Sequence, residues 1–359
     1  MKDDPEFPLL RGVRRGAGWQ QGEQLYEGRT IMILVTGGAG YIGSHVVRQL
    51  AETGQRVVVF DNLSTGSPAA LLHGEELVVG ELGDTAALQT LFEEHPVHTV
   101  LHFAASIVAP ESVTEPLKFY NNNTRNTLNL LTACVRFGVR RFIFSSTAAV
   151  YGLPKTGVAA EESPTVPINP YGASKLMSEW MLRDTALAHG IKYVALRYFN
   201  VAGADPQARM GQRTPDATHL IKVCCQAALG MREAVAIFGT DYPTPDGTGI
   251  RDYIHIEDLA SAHLAALKYL EGGGESTTFN VGYGQGSSVR EVIKVMKEVT
   301  GVDFAVLEAP RRPGDPASLV AKAERIREQL GWQPRFDDLP TIVADAWRWE
   351  QRLHNGSGL

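Results

Sequence analysis

One stretch near the start of the chain constrains the fold more than any other. An apolar run from Ile31 to Val35 has the character of a buried parallel strand, and it leads into three glycines, Gly37, Gly40 and Gly43. The apolar residues that follow recur at helical spacing. Strand, glycine turn and helix in this order are typical of a dinucleotide-binding turn, in which N–H groups at the helix N-terminus bind a pyrophosphate.

The second predicted strand, residues 56–60, ends at Asp61, about 20 residues beyond the glycines. An acidic side chain at this point accepts hydrogen bonds from the adenosine ribose hydroxyls, and it would repel the 2′-phosphate of NADP. Asp61 could also simply begin a turn. Together with the glycines, it predicts NAD as the cofactor.

The first half of the chain alternates strands with helices. Two long helices are predicted at about 116–137 and 168–189. Further strands are predicted at 77–79, 97–103, 141–146 and 193–197. Such alternation implies an α/β fold with a doubly wound parallel sheet of the Rossmann type, with ligands at the carboxyl ends of the strands.

The regular alternation of predicted strands and helices ends at about residue 200, after which glycine and proline become frequent. We read this half as a smaller α/β domain that closes over a substrate and partly returns to the sheet edge. The sequence therefore predicts an NAD-binding domain over residues 31–198 and a substrate-binding domain over residues 199–359.

Composition excludes several classes of protein. The formal net charge of −6 argues against a nucleic-acid-binding surface. Cys134, Cys224 and Cys225 lack the spacing of a disulfide framework or a zinc site, so we expect buried thiols in a cytoplasmic protein and no metal. The sequence contains no apolar run long enough to span a membrane.

Residues 1–30 do not fit the pattern of the rest. They lack periodicity and the apolar core of a signal peptide. We expect a disordered tail or a start-site artefact, with Met32 as the functional start.

Three side chains of the first half form a catalytic hypothesis. Tyr171 and Lys175 are four residues apart and would share one helix face, and Thr147 follows a predicted strand. The ordinary tyrosine pKa of about 10 is too high for a base at neutral pH. A nearby ammonium, such as that of Lys175, and a positive nicotinamide ring would both lower it. Tyr171 could then take a proton from a substrate hydroxyl that Thr147 also holds, while hydride leaves for the nicotinamide.

Several motifs resemble the nucleotide-sugar epimerases of the extended short-chain dehydrogenase/reductase family, and the resemblance covers nearly everything from residue 32 onward. The motifs are VTGGAGYIGSH, DNLSTG, SSTAAVYG, NPYGASK, LRYFN, IFG-x-DYPT-x-DGTG-x-RDYIH and APRR-x-GD. The last two are distinctive of these epimerases. The resemblance implies inversion of C4 of a UDP-hexose, UDP-glucose or UDP-galactose, through a transient 4-keto sugar. Tyr171 would be the base, and NAD would be regenerated.

The resemblance also implies two sets of binding residues and a homodimer formed through helices 116–137 and 168–189. The cofactor set is Gly37, Gly40, Tyr41, Ile42, Gly43, Asp61, Asn62, Leu63, Ser64, Thr65, Gly66, Glu81, Leu82, Phe103, Ala104, Ala105, Ser106, Ile107, Asn122, Thr147, Tyr171, Lys175 and Phe199. The substrate set is Thr147, Tyr171, Asn200, His219, Leu220, Ala236, Ile237, Phe238, Arg251, Arg312, Asp315 and Leu319. Arg251 and Arg312 are the candidates for the pyrophosphate, because guanidinium forks match phosphate oxygens.

The chain departs from the family pattern at three positions. Ile107 stands where many members have a lysine, and Glu81 stands where an aspartate usually meets adenine. Leu319 is the best match for a pocket-wall position where a bulky aromatic is associated with unsubstituted hexoses and a small residue with N-acetylated sugars. Leucine is intermediate, so N-acetyl tolerance stays open.

Other functions remain to be compared. Nucleotide-sugar 4,6-dehydratases have Asp-Glu directly after the Ser/Thr position, whereas this chain has Ala148 and Ala149, which cannot transfer protons. A UDP-pentose or UDP-uronate 4-epimerase would use identical chemistry. A non-catalytic NAD-binding sensor or scaffold is a remote alternative, because it would not need Tyr171, Lys175 and Thr147 together.

Overall fold

The computed structural model describes residues 31–214, 217–312 and 314–356, so the predicted N-terminal tail lies outside the described residues. The strands are β1 (Met32–Thr36), β2 (Val57–Asp61), β3 (Glu76–Val79), β4 (Val97–His102), β5 (Arg141–Ser145), β6 (Val158–Ala159), β7 (Lys192–Tyr198), β8 (Asn200–Ala202), β9 (Val235–Phe238), β10 (Ile250–His255), β11 (Thr277–Val281), β12 (Gly286–Ser288), β13 (Val306–Ala309) and β14 (Ser318–Ala321).

The helices flank these strands and follow them along the chain. They are α1 (Tyr41–Glu52), α2 (Thr85–Glu94), α3 (Ala109–Thr114), α4 (Pro116–Phe119), α5 (Asn126–Arg136), α6 (Pro170–His189), α7 (Leu220–Ala228), α8 (Ile256–Glu271), α9 (Val289–Thr300), α10 (Glu324–Leu330) and α11 (Leu339–His354). Short 3₁₀ turns cover Pro68–Ala70 and Ala148–Tyr151.

The central sheet has seven strands in the order β11-β7-β5-β4-β1-β2-β3, and all of its neighbours pair in parallel. The order reverses between β1 and β4, so the crevice outside their carboxyl ends is the expected ligand site of such a sheet. The predicted doubly wound α/β fold is confirmed. Strand β11 comes from the second half of the chain and forms the outer edge beside β7.

Both faces of the central sheet are buried, because its side chains alternate between two apolar layers. On one side Leu34 and Phe142 pack in a layer with Leu182 of α6. On the other side Val35 and Ile143 pack in a layer that also includes residues of α1 and α8. Burial on both faces explains why the strands of the central sheet are continuous apolar runs in the sequence.

Two small sheets lie next to the strand ends, and all of their strands except β6 come from the second half of the chain. One has the order β12-β10-β14-β6 with β8 paired to β10, and the other pairs β13 with β9. Because β8 directly follows β7, the chain passes from the large sheet into this smaller region next to the crevice. Within the described ranges, no helix combines the length and apolar character needed to cross a membrane.

The helix predicted over residues 116–137 differs from a regular α-helix. Its middle, Tyr120–Arg125, is a π-helical turn between α4 and α5. Single π-turns inside α-helices are frequent at functional sites. This turn carries Asn121, Asn122 and Asn123, which are poor helix formers.

A buried carboxylate fastens α1, the helix after the glycine turn, to α8. Glu257 Oε1 lies 2.7 Å from His45 Nδ1, and Glu257 Oε2 accepts hydrogen bonds from Arg48 and, at 2.9 Å, from Gln49. These donors hold the pKa of Glu257 at about 2, against the opposing effect of burial. The cluster therefore fixes the helix whose N-terminus faces the crevice.

Replacing Glu257 should weaken the fold in a pH-dependent way. The lowered pKa means that the carboxylate stabilises the folded chain above pH 4.5, its ordinary pKa, and that this stabilisation disappears as the pH falls towards 2. Glu257→Gln should therefore lower the free energy of unfolding by about 3 kcal/mol at pH 7. Urea unfolding at several pH values measures this.

The exposed Glu328 on α10 provides the matched control. Glu328→Gln should leave the unfolding curve within about 0.5 kcal/mol of the parent. A Glu257→Gln deficit that stays constant from pH 7 down to pH 2 would contradict the assignment of the stabilisation to the ionised carboxylate.

Candidate active site

A large cavity lies at the carboxyl ends of the central strands, between the Rossmann sheet and the smaller sheets. Its volume is about 390 Å³. It is lined by the glycine turn after β1, by the ends of β2, β4, β5 and β7, and by loops from the second half of the chain. The position is the one expected from the strand order.

Most residues of the predicted cofactor and substrate sets line this cavity. They are Gly37, Gly40, Tyr41, Ile42, Gly43, Asp61, Asn62, Ser64, Thr65, Glu81, Leu82, Phe103, Ala104, Ala105, Ile107, Asn122, Thr147, Tyr171, Phe199, Asn200, His219, Arg251, Asp315 and Leu319.

Nine predicted residues do not line the cavity. They are Leu63, Gly66, Ser106, Lys175, Leu220, Ala236, Ile237, Phe238 and Arg312. Leu220 instead lines a small adjoining cavity. The guanidinium carbon of Arg312 lies 3.7 Å from the centre of the Phe238 ring, and β9, which carries Phe238, pairs with β13 in a separate sheet. These contacts hold the Arg312 guanidinium against Phe238.

The glycine turn depends on close backbone contact. A Cβ on Gly43 would lie 2.2 Å from the carbonyl oxygen of Gly37, and a Cβ on Gly37 would lie 2.6 Å from the backbone nitrogen of Ala104. Gly37 also has a φ of +72°, which side chains rarely adopt. The turn is therefore packed tightly against β1 and β4, with the N-terminus of α1 at the cavity.

Asp61 ends β2 at the cavity wall and shapes the loop after it. Its Oδ2 accepts a hydrogen bond of 3.0 Å from the backbone N–H of Ala39, and its Oδ1 accepts one of 2.8 Å from that of Leu63. Leu63 has a φ of +59°, a strained value for leucine that this second bond helps to hold. Beside it, the Asn62 amide donates to Glu81 Oε1 at 3.1 Å.

The π-helical turn holds the loop after β4. Asn123 Oδ1 accepts from the backbone N–H of Ser106 at 2.8 Å, and its amide donates to Ser106 O and to Ser174 Oγ, both at 3.0 Å. Asn122 donates to Ser106 Oγ at 2.9 Å and also lines the cavity. Ser106 therefore shapes the cavity wall from behind it.

Tyr171, Lys175 and Thr147 come together at the ends of β5 and α6. All three side chains are buried. Lys175 Nζ donates to the backbone carbonyl of Ser145 at 2.8 Å and lies 4.9 Å from the centre of the Phe144 ring. Thr147 hydrogen-bonds Tyr171. The predicted trio therefore forms one cluster, with Tyr171 and Thr147 at the cavity surface and Lys175 behind them.

The charge states of this cluster differ from our sequence-based expectation. We expected Lys175 to lower the pKa of Tyr171, but burial raises that pKa, and only the hydrogen bond with Thr147 acts in the other direction. Burial also lowers the pKa of Lys175 to about 7. Desolvation is the largest effect on both groups, because each charged form loses contact with water.

At the far end of the cavity, the second half of the chain contributes charged and polar side chains. Arg251 Nη2 lies 3.9 Å from Asp315 Oδ1, and Arg251 Nη1 donates to its neighbouring backbone carbonyl. His219 Nδ1 accepts a hydrogen bond of 2.9 Å from Gln212. Burial lowers the pKa of His219, so this histidine is neutral and its imidazole is an uncharged part of the wall.

Sequence reasoning missed several residues of the cavity wall. Ser145 and Tyr198 end β5 and β7, and their hydroxyl oxygens lie 2.6 Å apart. Their position at strand ends was a usable signal. Gln212 and Thr214 lie in an irregular loop whose residues show no periodic pattern.

Comparison with known proteins decides the family. The model of the NAD dependent epimerase/dehydratase family matches residues 33–282. The chain belongs to this family. A curated UDP-glucose 4-epimerase of Azospirillum brasilense is 57% identical over 326 residues, which is 91% of this chain and 94% of that protein.

Solved epimerase structures share the fold of this family member over most of its length. The UDP-glucose 4-epimerase of Brucella ovis, crystallised with NAD, is 42% identical with a TM-score of 0.86, and the match covers 89% of this chain and 99% of that one. The UDP-Glc/GlcNAc 4-epimerase of Campylobacter jejuni is 52% identical with a TM-score of 0.79, and the match covers 90% and 100% of the two chains. The expected resemblance and the NAD cofactor are confirmed.

The residues of this epimerase-family member fit a dinucleotide. A Cβ on Gly40 would meet only the Gly37 carbonyl oxygen, at 3.2 Å, so the backbone at the N-terminus of α1 is open to the cavity. Asp61 places a carboxylate at the cavity wall at the end of β2, the position from which an acidic side chain can accept hydrogen bonds from ribose hydroxyls. Among the residues that the structure describes, no three His, Cys, Asp or Glu side chains are placed to hold a metal ion.

The tight glycine turn leads to a test of cofactor binding. Gly43→Ala should abolish NAD retention, because the new Cβ would overlap the Gly37 carbonyl and push the helix N-terminus away. NAD released from the purified protein by denaturation measures this. Gly272→Ala is the control, since its Cβ would meet nothing closer than 3.4 Å. Equal NAD content in both variants would contradict the assigned role of the turn.

Proposed function

We propose that this protein is an NAD-dependent epimerase that inverts C4 of a UDP-hexose and interconverts UDP-glucose and UDP-galactose. One observation carries the proposal: Tyr171, Thr147 and Lys175 form one buried cluster at the wall of the cavity that fits NAD. The 57% identity to a UDP-glucose 4-epimerase over nearly the whole of both chains supports the substrate.

The chain's own residues have separate roles in this reaction. Tyr171 would remove the proton from the sugar 4-OH, and Thr147 would hold the same oxygen while a transient 4-keto sugar forms and turns over. Tyr171 would then return the proton to that oxygen as hydride adds to the opposite face of C4. Lys175, fixed by the Ser145 carbonyl, would supply positive charge behind the phenol. Because burial raises the pKa of Tyr171, the phenolate needs this charge.

When bound, NAD would supply reversible hydride transfer at C4 and a positive charge that favours the Tyr171 phenolate. The proposed cofactor residues are those of the predicted set that line the cavity, with Lys175 and Ser106 acting from behind it. Asp61 favours NAD over NADP because a carboxylate repels a 2′-phosphate.

The wall beside Tyr171 supports epimerisation over dehydration. Ala148 and Ala149 directly follow Thr147, and both line the cavity. Elimination of water requires an additional acid and base at the sugar. Methyl groups cannot transfer protons, so these two positions cannot supply that chemistry.

The second half of the chain is proposed to bind the UDP group. Arg251, partly buried at the cavity, can direct its fork to the pyrophosphate, with Asp315 next to it. Arg312 lies two residues before Gly314, which lines the cavity, so we retain it as a phosphate contact. Asn200, His219 and Leu319 complete the proposed substrate wall.

UDP-N-acetylglucosamine is a second candidate substrate, supported by one comparison. The Campylobacter jejuni protein, 52% identical to this chain, is a UDP-Glc/GlcNAc 4-epimerase. Leu319 lines the cavity here and is smaller than an aromatic side chain. N-acetylated UDP-sugars therefore belong in the substrate survey beside UDP-pentoses and UDP-uronates.

The function is tested by purifying the protein without added cofactor and incubating it with UDP-galactose. We expect UDP-glucose by chromatography, and protein-bound NAD after denaturation. Tyr171→Phe should retain NAD but lower kcat by about 100-fold or more, because it removes the proton acceptor. Tyr193→Phe, on strand β7 and away from the cavity wall, is the matched control and should keep full activity.

Three other outcomes would change the proposal. Bound NAD with turnover of a UDP-pentose or UDP-uronate, but not of a UDP-hexose, would change the assigned substrate and leave the 4-epimerase reaction unchanged. Full activity of Tyr171→Phe would remove tyrosine from the role of base. Absence of both NAD and turnover, even with NAD supplied, would favour a non-catalytic protein.

We further propose a homodimer built from neighbouring helices on one face of the sheet. Large apolar side chains are exposed along α6 at Met177, Trp180 and Leu187, and on α4 and α5 at Leu117 and Leu128. Trp180 is 47% exposed and Leu187 is 81% exposed. Apolar surface of this kind is typical of an interface between copies of a chain.

Sedimentation of the intact protein tests the dimer. The parent should sediment at twice the mass of one chain, and Trp180→Glu combined with Leu187→Glu should shift it to the monomer, because buried charges without partners are costly. Leu307→Glu, at a position on β13 that is 62% exposed, should leave the dimer intact. A monomeric parent would exclude the proposal.

The location of the protein in the cytoplasm is likewise proposed. Cys134, Cys224 and Cys225 are free and buried in the structure. Free thiols are usual in a reducing compartment, which supports this location.

A further inference from the structure

A second buried ion pair lies directly behind the proposed catalytic cluster. Glu179 of α6 receives two hydrogen bonds from Arg197 of β7, at 2.9 Å from Nε and 2.6 Å from Nη2. Both side chains are less than 10% exposed. The arginine also donates to Tyr151 Oη at 3.1 Å, and that hydroxyl donates to Asn280 of β11 at 2.6 Å.

Glu179 also holds the end of β5. Ser146 Oγ donates to Glu179 Oε1 at 2.5 Å. Ser146 is flanked by Ser145, whose carbonyl oxygen binds Lys175, and by Thr147, which bonds Tyr171. The hydrogen bond from Ser146 to Glu179 therefore fixes the middle of the segment 145–147. The residues on either side of Ser146 contact Lys175 and the proposed base, Tyr171.

The same carboxylate stands one helical turn beyond Lys175. Tyr171, Lys175 and Glu179 follow at intervals of four residues on α6, so they share one face. The negative charge of Glu179 raises the pKa of Lys175, in opposition to the burial that lowers it to about 7.

Few other charged or titratable groups face Lys175 from the elements packed around it. On α6 they are Tyr171 and Glu179, on β4 His102, and on β7 Tyr198 and, through Glu179, Arg197. His102 is buried with its pKa lowered to about 3, so it is neutral. Burial also raises the pKa of Tyr198, so that phenol is neutral too. Glu179 is therefore the nearby negative charge that can keep Lys175 protonated.

We propose that Glu179, held by Arg197, is a positioning residue of the proposed epimerase: it fixes the β5 end through Ser146 and keeps Lys175 in its charged form. The proposal rests on the function proposed above. It assigns two separable effects to one carboxylate, a geometric effect through Ser146 and an electrostatic effect on Lys175.

Glu179→Gln tests the electrostatic effect in the NAD-bound protein. Loss of the negative charge lowers the pKa of Lys175 further, so the ammonium that favours the Tyr171 phenolate is lost at a lower pH. The alkaline limb of the pH profile of kcat should therefore move down by about one pH unit. Glu350→Gln removes the carboxylate of the buried Lys222–Glu350 pair, and as a matched control it should leave that limb in place.

Ser146→Ala tests the geometric effect and leaves the ion pair intact. The expected result is a fall in kcat of about tenfold, because the base and the lysine lose their fixed spacing. The KM for UDP-galactose and the alkaline limb should not change. This variant keeps the test valid if Glu179→Gln fails to fold.

The ionisation of Tyr171 provides a measurement that needs no substrate. Tyrosinate absorbance of the NAD-bound protein, minus that of Tyr171→Phe, reports this phenol alone. Ser146→Ala should raise the pH at which this phenol ionises, because the hydrogen bond with Thr147, which lowers the pKa of Tyr171, loses its fixed geometry. If the parent turns over no UDP-sugar, the proposed function fails, but this titration still decides whether the Glu179–Ser146 contact holds the β5 end. An unmoved alkaline limb in Glu179→Gln, together with parental kcat and an unmoved titration in Ser146→Ala, would overturn the proposal.

Discussion

Close contact between the backbones of Gly37 and Gly43 is the constraint on which the rest of the site depends. It sets where α1 begins relative to β1, and so where the helix N-terminus meets the cavity. Glu257 fastens the same helix from its other side through His45, Arg48 and Gln49. Helix α1 is thus fixed at its N-terminus by the close contact of glycine backbones and along its length by a buried carboxylate. The cavity wall that this helix forms therefore has little freedom to shift.

The proposed catalytic cluster shows how burial changes the ionisation of its groups. Tyr171 and Lys175 lie against apolar rings and backbone, so each resists taking its charged form. The polar groups around them work against that resistance: Thr147 on the phenol and Glu179 on the ammonium. The ionisation of Tyr171 and Lys175 therefore depends on neighbouring groups that lie outside the proposed proton transfer.

The sequence predicted the fold and much of the cavity wall, because strands, strand ends and glycine spacing leave local patterns. Asp61, Thr147 and Tyr171 all lie at such strand or helix ends. The partners of Glu257 and Glu179 could not be predicted, since they are distant in the chain and depend on how helices pack. The raised pKa of Tyr171 was missed for the same reason: the sequence shows a neighbouring lysine but not the loss of water.

The π-helical turn has a consequence for how this protein can change. In a regular α-helix, neighbouring side chains diverge by about 100°, yet here Asn122 and Asn123 both bind Ser106. The wider π-helical turn lets these two successive side chains hydrogen-bond the same loop after β4. Substitutions that made this helix more regular would increase its local stability but weaken the hydrogen bonds to Ser106. Selection for a more stable fold and selection for a fixed cavity wall therefore act in opposite directions at these residues.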